Sequence, residues 1–127
     1  SFGGKILRSH FTSAISALLL LAVSYSSQAH HSHGNYDVRN YTHLEGTLVE
    51  VIWLNPHIWL QLETEDGELW ALEGGSIQAV ASGGGWERGE LNAGDRISVR
   101  CHAQRDGSSG CLLGYITVEG EEERVFD

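Results

Sequence analysis

The stretch EGTLVEVIWLNPHIWLQLE, residues 45–63, predicts two β-strands that meet at a corner. Its first half, Thr47–Leu54, is rich in β-branched and aromatic residues, which favour strands. Asn55-Pro56 then interrupts the pattern, because proline cannot donate to a β-ladder and restricts the residue before it.

Apolar and polar residues alternate after this corner. Ile58, Leu60 and Leu62 share one face of the predicted second strand, and His57 and Trp59 lie on the other. The sequence therefore places a histidine directly after a rigid corner, on the face opposite the aliphatic residues.

The remaining chain divides into short strands with one helix. We predict strands over Thr42–Leu54, His57–Glu65, Glu68–Glu73, Arg96–His102 and Cys111–Val118, a helix over Ile77–Ala81 capped by Ser76, and a last half-strand over Arg124–Asp127. The order β-β-β-α-β-β is that of the OB fold, so we expect an all-β protein with one short helix, folded as a five-stranded OB-like Greek-key barrel. The alternative is an open antiparallel sheet with a helix across it.

The register of the third strand depends on the turn at Asp66-Gly67, a strong hairpin signal. If these two residues form the whole turn, Leu62 faces Ala71 and Glu63 faces Trp70. A longer loop would turn the third strand over, because a shift of one residue exchanges the two faces of a strand.

The two-residue turn predicts an exposed tryptophan face, which could stack a ligand or dock a partner; packing against the N-terminal arm is the plainer use. Trp59 and Trp70 would lie on the same face as His57, with Trp53 nearby. Glu73 would point inward near Leu60, where a carboxylate must be paired or coordinated. Alternatively, Glu73 caps the Gly-Gly-Ser turn that follows it.

The first 29 residues are typical of a secretory signal peptide. Lys5 and Arg8 precede the apolar run Ala14–Val23, and Ser24–Ala29 ends with a small-x-small cleavage motif. We therefore divide the chain into a signal peptide (1–29), a His-rich arm expected to be extended or flexible (30–41) and a barrel domain (42–127). This organisation predicts a periplasmic or secreted protein with no membrane span after cleavage. Loss of Lys5 and Arg8 would take the formal net charge from −9 to −11, which argues against nucleic-acid binding.

The N-terminal histidines are the first candidate metal ligands. Cleavage after Ala29 would expose His30, whose amine and imidazole can chelate one metal ion, and His31 and His33 follow closely. A third nitrogen from elsewhere would complete a histidine brace, which suits copper. Cleavage one residue earlier would instead give Ala-His-His, a square-planar nitrogen set for Cu(II) or Ni(II). The alternative is a disordered His-rich tail that binds metal weakly.

Two strand histidines are further candidates. His57 begins the second strand and His102 ends the fourth, so both could reach the rim of a small barrel and complete the metal site. The alternative for each is a purely structural role.

Cys101 and Cys111 flank a predicted hairpin loop in a chain expected to be exported. Oxidising compartments favour disulfides, so a cross-strand disulfide is the prediction. A metal-thiolate site is the alternative, although the spacing is not that of a CxxC pair.

The pattern AHHS (29–32), NPH (55–57), EGGS (73–76) and RDG (105–107) resembles a family of small exported bacterial proteins of unknown function. The resemblance extends over about Ala29 to Gly120, and the NPH and RDG segments are its most specific parts. It implies a periplasmic or secreted single domain and no particular activity.

These observations predict an exported domain that binds a transition metal, with copper expected, as a carrier or buffer. The alternative is a metal-independent module that docks an envelope protein through the tryptophan face. The sequence contains no G-x-S-x-G, H-E-x-x-H, P-loop or CxxCH motif, so a copper-dependent enzyme is the least supported hypothesis.

Overall fold

A computed structural model describes residues 33–127, of which Asn35–Asp127 form a compact unit. The predicted signal peptide, His30, His31 and the side chain of His33 lie outside the described part. A 3₁₀ turn at His33–Asn35 is followed by the strands and the helix of the barrel. These are β1 (Thr42–Ile52), β2 (Trp59–Thr64), β3 (Leu69–Glu73), α1 (Ile77–Gly84), β4 (Arg96–Ala103), β5 (Gly110–Val118) and β6 (Arg124–Val125).

The first five strands close into a barrel, which confirms the predicted OB-like fold. The sheet order is β3-β2-β1-β4-β5-β6, and a parallel pairing between β3 and β5 joins its two sides. Strand β1 serves both halves of the barrel, because Thr42–Thr47 pairs with β4 and Gly46–Ile52 pairs with β2. Gly46 sits where the two pairings overlap, and an added Cβ would lie 2.1 Å from the Glu63 carbonyl oxygen.

The turn between β2 and β3 has three residues, so the predicted register is wrong by one position. Thr64 and Glu68 close the loop through an N–H···O contact of 3.0 Å, and Gly67 adopts a positive φ of 84°. A turn that ends on a left-handed glycine is a common three-residue hairpin connection. Consequently Leu62 pairs with Trp70.

The aliphatic face of each strand fills the barrel, and the helix and the C-terminal segment close one end. Leu48, Ile58, Leu60 and Leu72 are at most 1% exposed. Phe126 is fully buried, and Trp53 and Trp86 pack edge-on against its ring. Ser76 caps α1 as predicted, since its hydroxyl accepts from the Ala79 N–H at 3.1 Å.

The predicted disulfide between Cys101 and Cys111 is confirmed. It joins β4 to β5 across a Cα–Cα distance of 5.5 Å, and both residues are fully buried. Within residues 33–127, the structure contains no helix long and apolar enough to cross a membrane.

Candidate functional site

The loop between β1 and β2 is held against the start of α1. Its Asn55–Pro56 peptide bond is cis. The Asn55 side-chain oxygen accepts from the Ile77 N–H at 2.9 Å, which satisfies one of the backbone donors that a helix start leaves open. The corner predicted from the sequence is therefore held in place, and His57 lies between it and the start of β2.

His57 contacts the backbone of the segment that follows β3. Its Nδ1 lies 3.1 Å from the carbonyl oxygen of Gly74. Ile58 fixes this segment on both sides, because its carbonyl accepts from the Gly74 N–H at 2.8 Å and its N–H donates to Gly75 at 2.9 Å. A carbonyl can only accept, so the hydrogen of the neutral ring is on Nδ1 and the lone pair is on Nε2.

Glu73 is the one buried charged side chain among residues 33–127, with 6% of its surface exposed. It pairs with Trp59 rather than facing Leu60, since Leu60 pairs with Leu72. The prediction that Glu73 points into the barrel is therefore wrong, because the three-residue loop turns β3 over. The carboxylate is nevertheless buried, since the N-terminal arm covers it.

Tyr36 is the residue that covers Glu73. Its side chain is 3% exposed, and its hydroxyl donates to Glu73 Oε2 at 2.6 Å. Burial, and next the hydrogen bond to Glu73, raise the pKa of the Tyr36 phenol to about 12. The phenol therefore remains a hydrogen donor throughout the physiological range.

Glu73 also faces His57. Its Oε1 lies 3.7 Å from the histidine Nδ1, and the His57 side chain is 36% exposed. Tyr36, Glu73 and His57 thus form a connected cluster, which we call the Tyr36–Glu73–His57 cluster. A histidine whose Nδ1–H faces a carbonyl and a carboxylate has the surroundings that metal-binding histidines have in proteins.

The cluster lies where OB folds place their ligands. That place is the outer face of the second and third strands, between the loops that join strands one to two and four to five. Here the first loop carries His57, β3 carries Glu73, and the second loop follows β4 at Gln104. The NPH and RDG segments noted in the sequence fall in these two loops.

His102 lies apart from the cluster. Strands β3 and β5 stand between β2 and β4 on this side of the barrel. The His102 ring stacks on Tyr41 at 4.4 Å, and its Nδ1 lies 2.8 Å from the carbonyl oxygen of Asn40. The structure therefore does not bring His57 and His102 together.

The tryptophans do not form a common face. Trp59 pairs with Glu73 on the outer side, whereas Trp70 pairs with the buried Leu62 and packs against the core. Trp53 is 7% exposed and belongs to the core. The prediction that Trp59 and Trp70 share a face is wrong, because the three-residue loop turns β3 over.

The described part of the chain contains no group of three or more His, Cys, Asp or Glu side chains that could hold a metal ion. The predicted ligands His30, His31 and the His33 side chain lie outside this part. Cys101 and Cys111 are joined to each other, so the metal-thiolate alternative is wrong.

Tyr36 is the functional candidate that the sequence did not reveal. It lies in a polar segment without apolar periodicity, and only its pairing with Gln104 and its contact with Glu73 distinguish it. Tyr36 and Tyr41 are both tyrosines of this segment, and nothing in the sequence distinguishes one from the other.

Comparison with known proteins relates the chain to a protein family. The model of a family described as a family of unknown function (DUF6152) matches residues 17–113. No curated protein matches the chain.

Proposed function

Because the chain belongs to DUF6152, a family of unknown function, we propose its function from its own residues: an exported module that binds one transition-metal ion, copper, as a carrier or buffer. His57 is the ligand from the barrel. His30, His31 and His33 are the ligands from the N-terminal arm. His102 is left out of the ligand set, because β3 and β5 separate it from His57.

The observation that carries this proposal is the contact between His57 Nδ1 and the Gly74 carbonyl oxygen at 3.1 Å. This contact leaves the lone pair of the neutral ring on Nε2, the nitrogen that then binds a metal. Glu73, 3.7 Å from the same Nδ1, supplies the carboxylate that often supports such a ligand.

The arm supplies the second argument. Tyr36 is attached to Glu73, and Glu73 faces His57. His33 precedes Tyr36 by three residues, so covalent geometry keeps the two backbones within about 11 Å. The histidine tract therefore begins a short distance along the chain from the fastened tyrosine.

Copper is the ion that this donor chemistry favours. Imidazole nitrogens, with or without a terminal amine, rank Cu(II) above the other divalent first-row metals. The formal net charge of −9 adds a general attraction for cations.

The test uses the protein produced with its complete N-terminal segment and purified from the periplasm or the medium. Intact mass after denaturation gives the first residue, and native mass gives the number of copper ions retained. Calorimetric titration with Cu(II) then compares the wild type with His57→Ala and with His102→Ala as the matched control. We expect one retained copper ion, at least tenfold weaker binding in H57A, and unchanged binding in H102A.

Retention of no copper by the wild type would contradict the proposal, as would equal affinities for the wild type and H57A. An effect of H102A as large as that of H57A would show that the ligand set is wrong.

A further inference from the structure

The RDG turn (105–107) carries an arginine whose guanidinium group forms no hydrogen bond or ion pair within residues 33–127. Its other two residues shape the turn, because Asp106 Oδ1 accepts from the Ser108 N–H at 2.9 Å and Gly107 has a positive φ of 81°. The backbone of Arg105 is also fixed, since its N–H donates to the Asn35 carbonyl at 2.8 Å. The turn therefore holds an exposed arginine side chain in place.

Arg39 is the other arginine of this kind in the described part of the chain. The remaining arginines there each bond to a carboxylate or carbonyl oxygen: Arg96 to Glu65, Arg100 to Glu123, Arg124 to Glu90 and Arg88 to Trp53. The chain has 17 acidic residues against 8 basic ones, so acceptors for a guanidinium group are plentiful. Two arginines without one are unexpected in so acidic a chain.

Both of these arginines border the same cavity. It has a volume of about 550 Å³ and is lined by Asp37, Arg39, Ala103, Gln104 and Arg105. A volume in this range suits a small molecule. The lining residues come from the arm and from the end of β4 with its following loop, and in OB folds this loop borders the ligand face.

The turn that carries Arg39 is held on both sides. The Asp37 N–H donates to the Ala103 carbonyl at 2.8 Å, and the Asn40 carbonyl oxygen lies 2.8 Å from His102 Nδ1. Little ordering of the backbone is then required when a ligand meets Arg39, which favours binding.

Asp37 sets the charge of the cavity. Its Oδ1 accepts from the Arg39 N–H at 3.3 Å and its Oδ2 from the Asn40 amide at 3.0 Å, so the turn itself occupies both oxygens. The hydrogen bond from Asn40, and to a lesser extent the backbone N–H of Arg39 and the charges of both arginines, lower the pKa of Asp37, which keeps it ionised. Two guanidinium groups and one carboxylate leave one net positive charge.

We propose that this cavity binds a small molecule through a single carboxylate group, with Arg39 and Arg105 as the binding residues. The planar fork of a guanidinium group matches a carboxylate through parallel hydrogen bonds. One carboxylate also neutralises the net charge of the cavity, whereas a doubly charged phosphate leaves an excess of negative charge. The site uses none of the residues proposed to bind copper, so it does not depend on that proposal.

Titration of the complete exported protein with sodium acetate, followed by ¹⁵N–¹H spectra, tests the site. We expect saturable shifts of amide signals in residues 37–40 and 103–107, and no such shifts with sodium chloride at the same ionic strength. Arg39→Gln and Arg105→Gln should each weaken acetate binding about fivefold, since each removes a charge-assisted pair. Arg96→Gln is the matched control, because it removes the same charge from an exposed arginine outside the cavity.

Shifts that do not saturate, or equal weakening by R96Q, would overturn the site. Asp37→Asn should have the opposite effect and tighten acetate binding, because it removes the negative charge of the cavity; an unchanged affinity would overturn the charge argument. Inorganic phosphate, titrated in the same way, should bind more weakly than acetate. Tighter binding of phosphate would overturn the assignment of the ligand as a carboxylate.

Discussion

Tyr36 donates its hydroxyl hydrogen to Glu73 Oε2 over 2.6 Å, and this contact fastens the N-terminal arm to the end of β3. The two residues are 37 positions apart, and both are buried. A buried carboxylate without this donor would lose a hydrogen bond that water cannot readily replace.

Replacement of Tyr36 by phenylalanine should therefore destabilise the protein. We expect the free energy of unfolding to fall by about 1–3 kcal/mol, because the change leaves a buried acceptor without its donor. Urea unfolding followed by fluorescence measures the difference. Tyr41, which is 44% exposed, offers the matched control, and its replacement by phenylalanine should change stability by less than about 0.5 kcal/mol. Equal effects of the two changes would show that the contact contributes nothing specific.

Alkaline pH should weaken the same contact. The pKa of Tyr36 is raised from 10.0 to about 12 in the folded protein. Between these values the folded state holds a proton that the unfolded state has released, so the free energy of unfolding falls as pH rises. The contribution is complete below pH 10 and is lost by about pH 12. Urea unfolding at a series of pH values should show a stability difference between wild type and Y36F that shrinks across this window; a constant difference would contradict the assignment.

Removal of the disulfide should lower the free energy of unfolding by more than Tyr36→Phe does. Cys101 and Cys111 close a loop with a sequence separation of 10, for which chain entropy gives a stabilisation of about 3 kcal/mol. We expect the double change C101A/C111A to lower the free energy of unfolding by about this amount. Chemical unfolding of wild type and variant measures it, and intact mass before and after reduction verifies the bond. A stability unchanged by the double substitution would contradict the prediction.

The conformation of the three-residue loop between β2 and β3 should require glycine at position 67. Its φ of 84° is a conformation in which other residues are strained, so Gly67→Ala should destabilise by about 1 kcal/mol. Glu65→Ala in the same loop is the control, since Glu65 is exposed and no positive φ is required there. Thermal unfolding of both variants distinguishes them. If G67A were as stable as E65A, the loop would have another conformation.

The tautomer of His57 can be observed directly. The Gly74 carbonyl oxygen, 3.1 Å from Nδ1, predicts that the neutral ring carries its hydrogen on Nδ1. Long-range ¹⁵N–¹H correlation spectra of the metal-free protein, recorded where the ring is neutral, identify the protonated nitrogen. His102 should show the same tautomer, because its Nδ1 lies 2.8 Å from the Asn40 carbonyl oxygen. Protonation of His57 on Nε2 would remove the main support for its proposed role.

The sequence was sufficient for the barrel, because the features that determine it are local. Alternation from Ile58 to Leu62, the Ser76 cap and the spacing of Cys101 and Cys111 each act over a few residues. The observed strand boundaries differ from the predicted ones by one or two residues, most visibly where β2 begins at Trp59 rather than His57.

The site was only partly predictable, because it depends on register and on distant contacts. Asp66-Gly67 fits both a two-residue and a three-residue hairpin, and the choice reverses the faces of Trp70 and Glu73. The sequence places Tyr36 in an arm expected to be extended or flexible, since nothing local indicates that its hydroxyl reaches a carboxylate 37 residues away. His57 was identified because it follows a proline corner, which is a local signal.

The parallel pairing of β3 with β5 also bears on how the protein is made. Ala71 can pair with Gly110 only after the chain has been synthesised as far as Gly110. As a chain emerges in order from a ribosome or an export channel, its first three strands have no closing partner during that interval. Completion of the barrel is thus a late and collective event that follows synthesis. A chain that stops before Gly110 therefore cannot close its barrel through this pairing.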